Sequence, residues 1–173
     1  MNSSDIQAKV ADILNSAVGQ HRSGRFDDAE DGYRQALELQ PDNADAHHLL
    51  GVLALQRGAF DSAVTSINRA LAIDGTSAAF HGSLADALGK LERYAEAETH
   101  YARSIEIKPG HFQTHYNLGN LLRVQGKREE ALASYRHAME LAPEFADACN
   151  NVGALIAEMG RLDEAISLHR DAA

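Results

Sequence analysis

The chain repeats itself every 34 residues, and that period limits what it can become more than any other feature. Gly119 and Gly153 lie one step apart, as do Gly126 and Gly160, and Ala131 and Ala165. The same step taken backwards gives Gly51, Gly58 and Ala63, then Ala17, Gly24 and Ala29. Alanine recurs in register at Ala29, Ala63, Ala97, Ala131 and Ala165. Four residues after each come Tyr33, Ile67, Tyr101, Tyr135 and His169, and three later Ala36, Ala70, Ser104, Ala138 and Ala172. Pro41, Pro109 and Pro143 close three units, with Gly75 in place of proline in the second. No insertion breaks the register over 10–173.

Each unit predicts two helices, so the fold class is all-α. In the fourth unit His115, Leu118, Leu121 and Leu122 fall on one helical stripe, and Ala131, Leu132, Tyr135, Ala138 and Met139 on another. Gly126 stands between them, where a helix ends on a left-handed residue, and Gly24, Gly58 and Gly160 occupy the same slot. The third unit has Glu92 there, at an expected cost of roughly 1 kcal/mol. Asp42 or Asn43, and Thr76 or Ser77, supply caps for the helices that follow. Ser4-Asp5-Ile6-Gln7 reads as a capping box, so the first helix is expected to start near residue 5. The predicted pairs are 10–23/26–40, 44–57/60–73, 78–91/94–107, 112–125/128–141 and 146–159/162–173. The alanine column marks close helix crossings. A lone helix pair cannot bury its apolar face, so about five 34-residue helix-turn-helix units must stack into one α-solenoid. The units are 10–43, 44–77, 78–111, 112–145 and a truncated 146–173, with 1–9 extending the first helix.

The pattern resembles the tetratricopeptide repeat (TPR) family. The 34-residue period, the pairs Leu50-Gly51 and Leu118-Gly119, the alanine columns and the closing prolines carry the likeness, over residues 10–173 of 173. Three departures stand out. The family's bulky aromatic near the start of each first helix is Ile13, His47, His81, His115 and Cys149 here. Ala85 replaces the third unit's glycine, and Ser16-Ala17 stands where Leu-Gly is expected.

The resemblance implies a right-handed solenoid that scaffolds protein–protein interaction, holding a partner's peptide or helix in a groove lined by the first helix of each unit. Carried over position by position, the groove residues are Asn15, Leu49 and Val52 in the N-terminal half. In the C-terminal half they are Tyr116, Asn117, Asn120, Arg123, Asn150 and Asn151. By the same analogy Leu14, Val18, His48, Leu55, Gly82, Ser83, Asp86 and Ala154 also face the groove. The first half is apolar and the second rich in carboxamides, which both donate to and accept from a peptide backbone. Asn15, Asn117 and Asn151 share one column, interrupted by Leu49 and Ser83. That incomplete column is similar to the superhelical segment preceding the catalytic region of O-linked N-acetylglucosamine transferases and their bacterial relatives. The alternative it implies is a substrate-recruiting segment of a larger glycosyltransferase. The basic clamp with which co-chaperone members hold a C-terminal carboxylate has no match: its slots hold Leu14, Val18, Leu49, Ala79 and Ser83.

Other functions are disfavoured on chemistry. A net charge of -9 does not suit a nucleic-acid surface. His47, His81 and His115 form a column, but neighbouring units lie about 8–10 Å apart. A zinc ion needs its nitrogens at about 2.0–2.1 Å, so no metal is expected. No cofactor motif and no catalytic constellation is present, so catalysis is expected to lie outside this chain if it is linked to it at all. The one cysteine, Cys149, occupies a buried-type slot and is expected to be structural. Neither a signal peptide nor a membrane span is visible, which gives a cytoplasmic expectation. The fifth unit stops short of its proline slot without a polar cap. Either the chain is a piece of a longer protein, or another copy covers an open end that would present Val152, Ile156, Leu162 and Ile166; the latter is the expectation of a homo-oligomer and of a self-assembling structural unit as a further alternative function.

Overall fold

The computed structural model describes residues 3–161, and among them nine α-helices and no strand. The helices are α1 (Ser3–Arg22), α2 (Phe26–Leu39), α3 (Ala44–Gln56), α4 (Phe60–Ile73), α5 (Ala78–Lys90), α6 (Tyr94–Ile107), α7 (Phe112–Val124), α8 (Arg128–Leu141) and α9 (Ala146–Glu158). The edges fall within a residue of the periodic expectation, apart from α1, which already runs at Ser3. Ser4 is therefore inside the helix and does not cap it. The second helix expected at 162–173, with Leu162, Ala165, Ile166, His169 and Ala172, lies outside the described residues.

Local chemistry explains the punctuation. Gly24, Gly58, Gly126 and Gly160 end the first helices at φ between 74° and 77°, and Glu92 takes the same role at φ 60°. Of the two candidate caps in each turn, the second serves. Asn43 accepts from the Ala46 amide at 2.8 Å and Ser77 from the Phe80 amide at 3.4 Å. Thr76 instead donates its amide and hydroxyl to Asp74. Those two bonds hold the Asp74 carboxyl below its usual range.

The chain divides into two compact units, Met1–Arg93 and Tyr94–Ala173. In the first, α1 packs on α2 and α3 on α4, with Ala29, Tyr33, Ala63 and Ile67 fully buried at the crossings. In the second, α7 packs on α8 around Ala131, Leu132 and Tyr135, and α9 adds Val152, Leu155 and Ile156 to the same cluster. Val152 and Ile156 are thus fully buried core residues. That corrects the expectation that they form an exposed end face; its other members, Leu162 and Ile166, lie outside the described residues.

The glycines of the first helices are required by proximity. A methyl on Gly51 would come 2.4 Å from Ile67 Cγ1, and one on Gly119 would come 2.6 Å from two ring carbons of Tyr135. The missing side chain lets the two helices of a repeat close onto a large residue between them.

Candidate functional site

Residues 14, 18, 21 and 22 of α1 share one helical stripe, and steps of 34 carry that stripe onto α3, α5, α7 and α9. Within each unit this first-helix face is knitted together by side chains 35 residues apart. In the first unit the His21 imidazole reaches Gln56 Oε1 at 2.9 Å, and His48 Nε2 lies 2.9 Å from Ser83 Oγ. In the second, Asn151 Nδ2 donates to the Tyr116 hydroxyl at 3.3 Å and Arg123 is ion-paired with Glu158. Positions 21 and 56 are the repeat equivalents of 123 and 158, so one geometry is used twice with different chemistry.

The second unit brings together most of the expected groove residues. Tyr135 is fully buried, and its hydroxyl donates to Asn120 Oδ1 at 2.8 Å. Asn120 Oδ1 also accepts from Asn151 Nδ2 at 3.4 Å. Tyr116 packs its ring edge-on against Phe145, with centroids 4.9 Å apart, and lies 5.7 Å from the Tyr135 ring. Burial pushes the Tyr135 hydroxyl above its ordinary pKa, against the opposing charge of Arg123, so it stays a proton donor. The Asn117 carboxamide oxygen accepts from Gln113. Asn150 is exposed on α9, outside this network. The carboxamides of this face therefore differ from a row of free groups: Asn151, of the column, and Asn120 beside it are already oriented by tyrosines.

In the first unit Leu49 and Val52 line a cleft of about 470 Å³ with Val18 and Phe26. Asn15 sits exposed on α1 and is not part of it. Sequence reasoning did not single out His21, Arg22 and Gln56, which complete the cleft. The signal available for two of them was the 35-residue spacing of His21 and Gln56, which matches that of Arg123 and Glu158. His21 is held at both nitrogens, by Gln56 and by the Tyr33 hydroxyl at 2.9 Å. Beside the cleft His48 packs on Phe80, with centroids 4.6 Å apart. Burial lowers the His48 pKa, partly opposed by Asp45, which favours the neutral ring.

The histidine column has a structural explanation. His47, His81 and His115 each donate from Nε2 to a carbonyl six residues earlier, at Pro41, Gly75 and Pro109, over 3.0, 3.3 and 2.9 Å. Cys149 Sγ lies 3.8 Å from the Pro143 carbonyl in the same relation, half-exposed and not buried. Each ring ties its own inter-repeat turn. Among the described residues no three histidine, cysteine, aspartate or glutamate side chains converge as metal ligands. Nor is any described helix long and apolar enough to cross a membrane.

Tetratricopeptide repeat models match residues 20–78 and 116–173, and a second such model matches 75–144. The chain belongs to the tetratricopeptide repeat family. Solved TPR-like structures agree on the fold. MamA is 24% identical with a TM-score of 0.81, covering 90% of this chain and 91% of its own. Pseudomonas aeruginosa PilF is 20% identical with a TM-score of 0.86, covering 98% and 78%. YrrB is 24% identical with a TM-score of 0.72, covering 92% and 82%. No curated protein matches the sequence. These TPR relationships establish an all-α helical-repeat solenoid.

Proposed function

We propose that this TPR protein is an interaction scaffold that holds an extended protein segment against its first-helix face. The observation that carries the reading is the hydrogen-bonded set Tyr135–Asn120–Asn151–Tyr116. It fixes the Asn151 amide nitrogen inward, and the carboxamide oxygen has no partner among the described residues. An acceptor held in place on a half-buried wall suits a backbone N–H of a bound chain, because its ordering cost has already been met in the free protein. YrrB is described as a TPR protein with an unusual peptide-binding site, which lends the reading support. In the first unit Leu49 and Val52 would take apolar side chains of a bound segment, with Asn15 as a polar contact; in the second, Tyr116, Asn117, Arg123 and Asn150 would contribute polar contacts.

The test is selection of random dodecapeptides on the immobilised protein, followed by fluorescence anisotropy of the enriched peptides. Asn151→Asp keeps the shape and the acceptor but removes the N–H bonds that aim it. It should weaken selected peptides several-fold while circular dichroism stays helical. Equal affinity for the wild type, Asn151→Asp and Val52→Asp would reject the first-helix face as the binding surface.

A further inference from the structure

The cleft of the first unit has a chemistry of its own. Its apolar part is Val18, Phe26, Leu49 and Val52, and its volume of about 470 Å³ lies inside the roughly 300–1,000 Å³ range of ligand-holding pockets. The wall is held in place before anything binds. The Phe26 ring meets the edge of His21 at 5.6 Å on one side, and the Arg57 guanidinium lies 5.9 Å from its centroid. His21 in turn is fixed by Tyr33 and Gln56.

The charges around this cleft have a specific imbalance. Four carboxylates begin α2; Asp31 lines a different pocket with Ile13 and Gln20, and the other three are each ion-paired. Asp27 and Glu30 meet Arg57 at 2.5 and 2.6 Å, Glu30 also meets Arg34 at 2.5 Å, and Asp28 lies 3.8 Å from Arg25. Three arginines thus offset three carboxylates. Arg22, exposed on the last turn of α1 and lining the cleft, has no side-chain partner among the described residues. The chain as a whole carries -9, yet the uncompensated charge at this cleft is a cation.

We propose that the cleft selects an extended segment in which a bulky aliphatic or aromatic side chain lies within two residues of an aspartate or glutamate. The apolar group enters against Phe26 and Val52, and the side-chain carboxylate pairs with Arg22. This deepens the scaffold reading and rests on it. Guanidinium suits the task because its planar fork accepts a carboxylate through two N–H bonds.

The experiment is the same dodecapeptide selection, with the library fused at its C-terminus so that no free terminal carboxylate is present. It is run on the wild type, Arg22→Glu and Val52→Asp. Arg22 is exposed at a helix end, so its replacement leaves folding intact, checked by circular dichroism. The wild type should enrich acidic residues beside the apolar position, and Arg22→Glu should replace them with lysine or arginine. Changing the acid of a selected peptide to its amide should cost the wild type about two- to fivefold in affinity, the scale of one exposed ion pair, and cost Arg22→Gln nothing. An apolar motif without acidic bias, or an acidic bias that survives Arg22→Glu, overturns the proposal. If Val52→Asp still abolishes binding in that case, the scaffold reading stands. Failure to enrich any peptide on the wild type rejects both.

Discussion

Gly119→Ala is the sharpest probe of how the repeat holds together, because a single methyl sets two opposing effects against each other. The new carbon would lie 2.6 Å from both Cδ1 and Cε1 of Tyr135. That ring is fully buried, and its hydroxyl is bound to Asn120 at 2.8 Å. It cannot swing aside without giving up the bond. Overpacking of this kind costs about 1–3 kcal/mol, and the lost hydrogen bond about 0.5–1.5 kcal/mol. Alanine's better helix propensity returns about 1 kcal/mol. The difference is a loss of about 2 kcal/mol, which at a urea slope near 2 kcal/mol/M lowers the midpoint by about 1 M. The first repeat shows how the loss is avoided. Ala17 stands in the glycine column there, and Gly32 occupies the slot that Ser134 fills in the fourth repeat. A methyl on Gly32 would fall 2.7 Å from Ala17 Cβ, so in the first repeat the side chain is omitted on α2 and not on α1. Ser134→Gly in the Gly119→Ala background should therefore recover about 1 kcal/mol, although alone it weakens α8 by a few tenths. Urea unfolding of the four proteins, followed by far-ultraviolet circular dichroism, closes the cycle. A Gly119→Ala protein more stable than the wild type, or two strictly additive changes, would refute the crossing argument.

Two further predictions follow from the turns and the histidines. Glu92→Gly should raise stability by about 0.5–1 kcal/mol, since Glu92 sits at φ 60° where side chains are strained; a lower urea midpoint would contradict it. His48 and His115 both have pKa values lowered chiefly by burial, so between their folded values and 6.5 the folded state binds fewer protons than the unfolded. Their contribution is present above 6.5 and is lost as the pH falls through that window. The urea midpoint should decline from pH 7.5 towards 5.5, less steeply in His48→Gln with His115→Gln; a flat wild-type profile would dismiss the idea. Glu98 does not confuse the window. Burial raises its carboxyl, but hydrogen bonds from Lys127 and Gln125 outweigh that and hold it below 4.5, so it acts only at lower pH.

How much of this was legible in the sequence depends on how far apart the interacting residues lie. Helix positions followed from the period, because Gly24, Gly58 and Gly126 need positive φ and Pro41, Pro109 and Pro143 cannot continue a helix. The choice of cap between Asp42 and Asn43 was not legible, since both residue types cap and only the turn geometry decides. The histidine column showed in the sequence, but its six-residue reach back to a turn carbonyl did not. The candidate face was read as a set of positions, and its chemistry was missed. Asn117, Asn120 and Asn151 looked like free carboxamides, whereas Gln113, Tyr116 and Tyr135 already engage them. Apart from the Gln113–Asn117 bond within α7, those bonds cross from one repeat to the next or from one helix to its pair, and a single sequence carries no mark of them beyond the recurring spacing of 35.

The same spacing explains how one fold can keep its core and vary its surface. Ala29, Ala63 and Ala131 are all fully buried, and each sets the approach of a helix pair. Tyr33 and Tyr135 are buried to the same degree, yet their hydroxyls hydrogen-bond to the less buried side chains of His21 and Asn120. A tyrosine in that slot thus links core packing to the recognition face, and Ile67, which fills it in the second repeat, cannot. Where the tyrosine hydroxyl is engaged, it holds one polar side chain of the first helix, His21 or Asn120; in the repeat with Ile67 the residues at the positions of Asn15, Val18 and His21 are Leu49, Val52 and Leu55. The chemistry offered to a partner therefore changes from repeat to repeat, while the backbone that presents it stays in register.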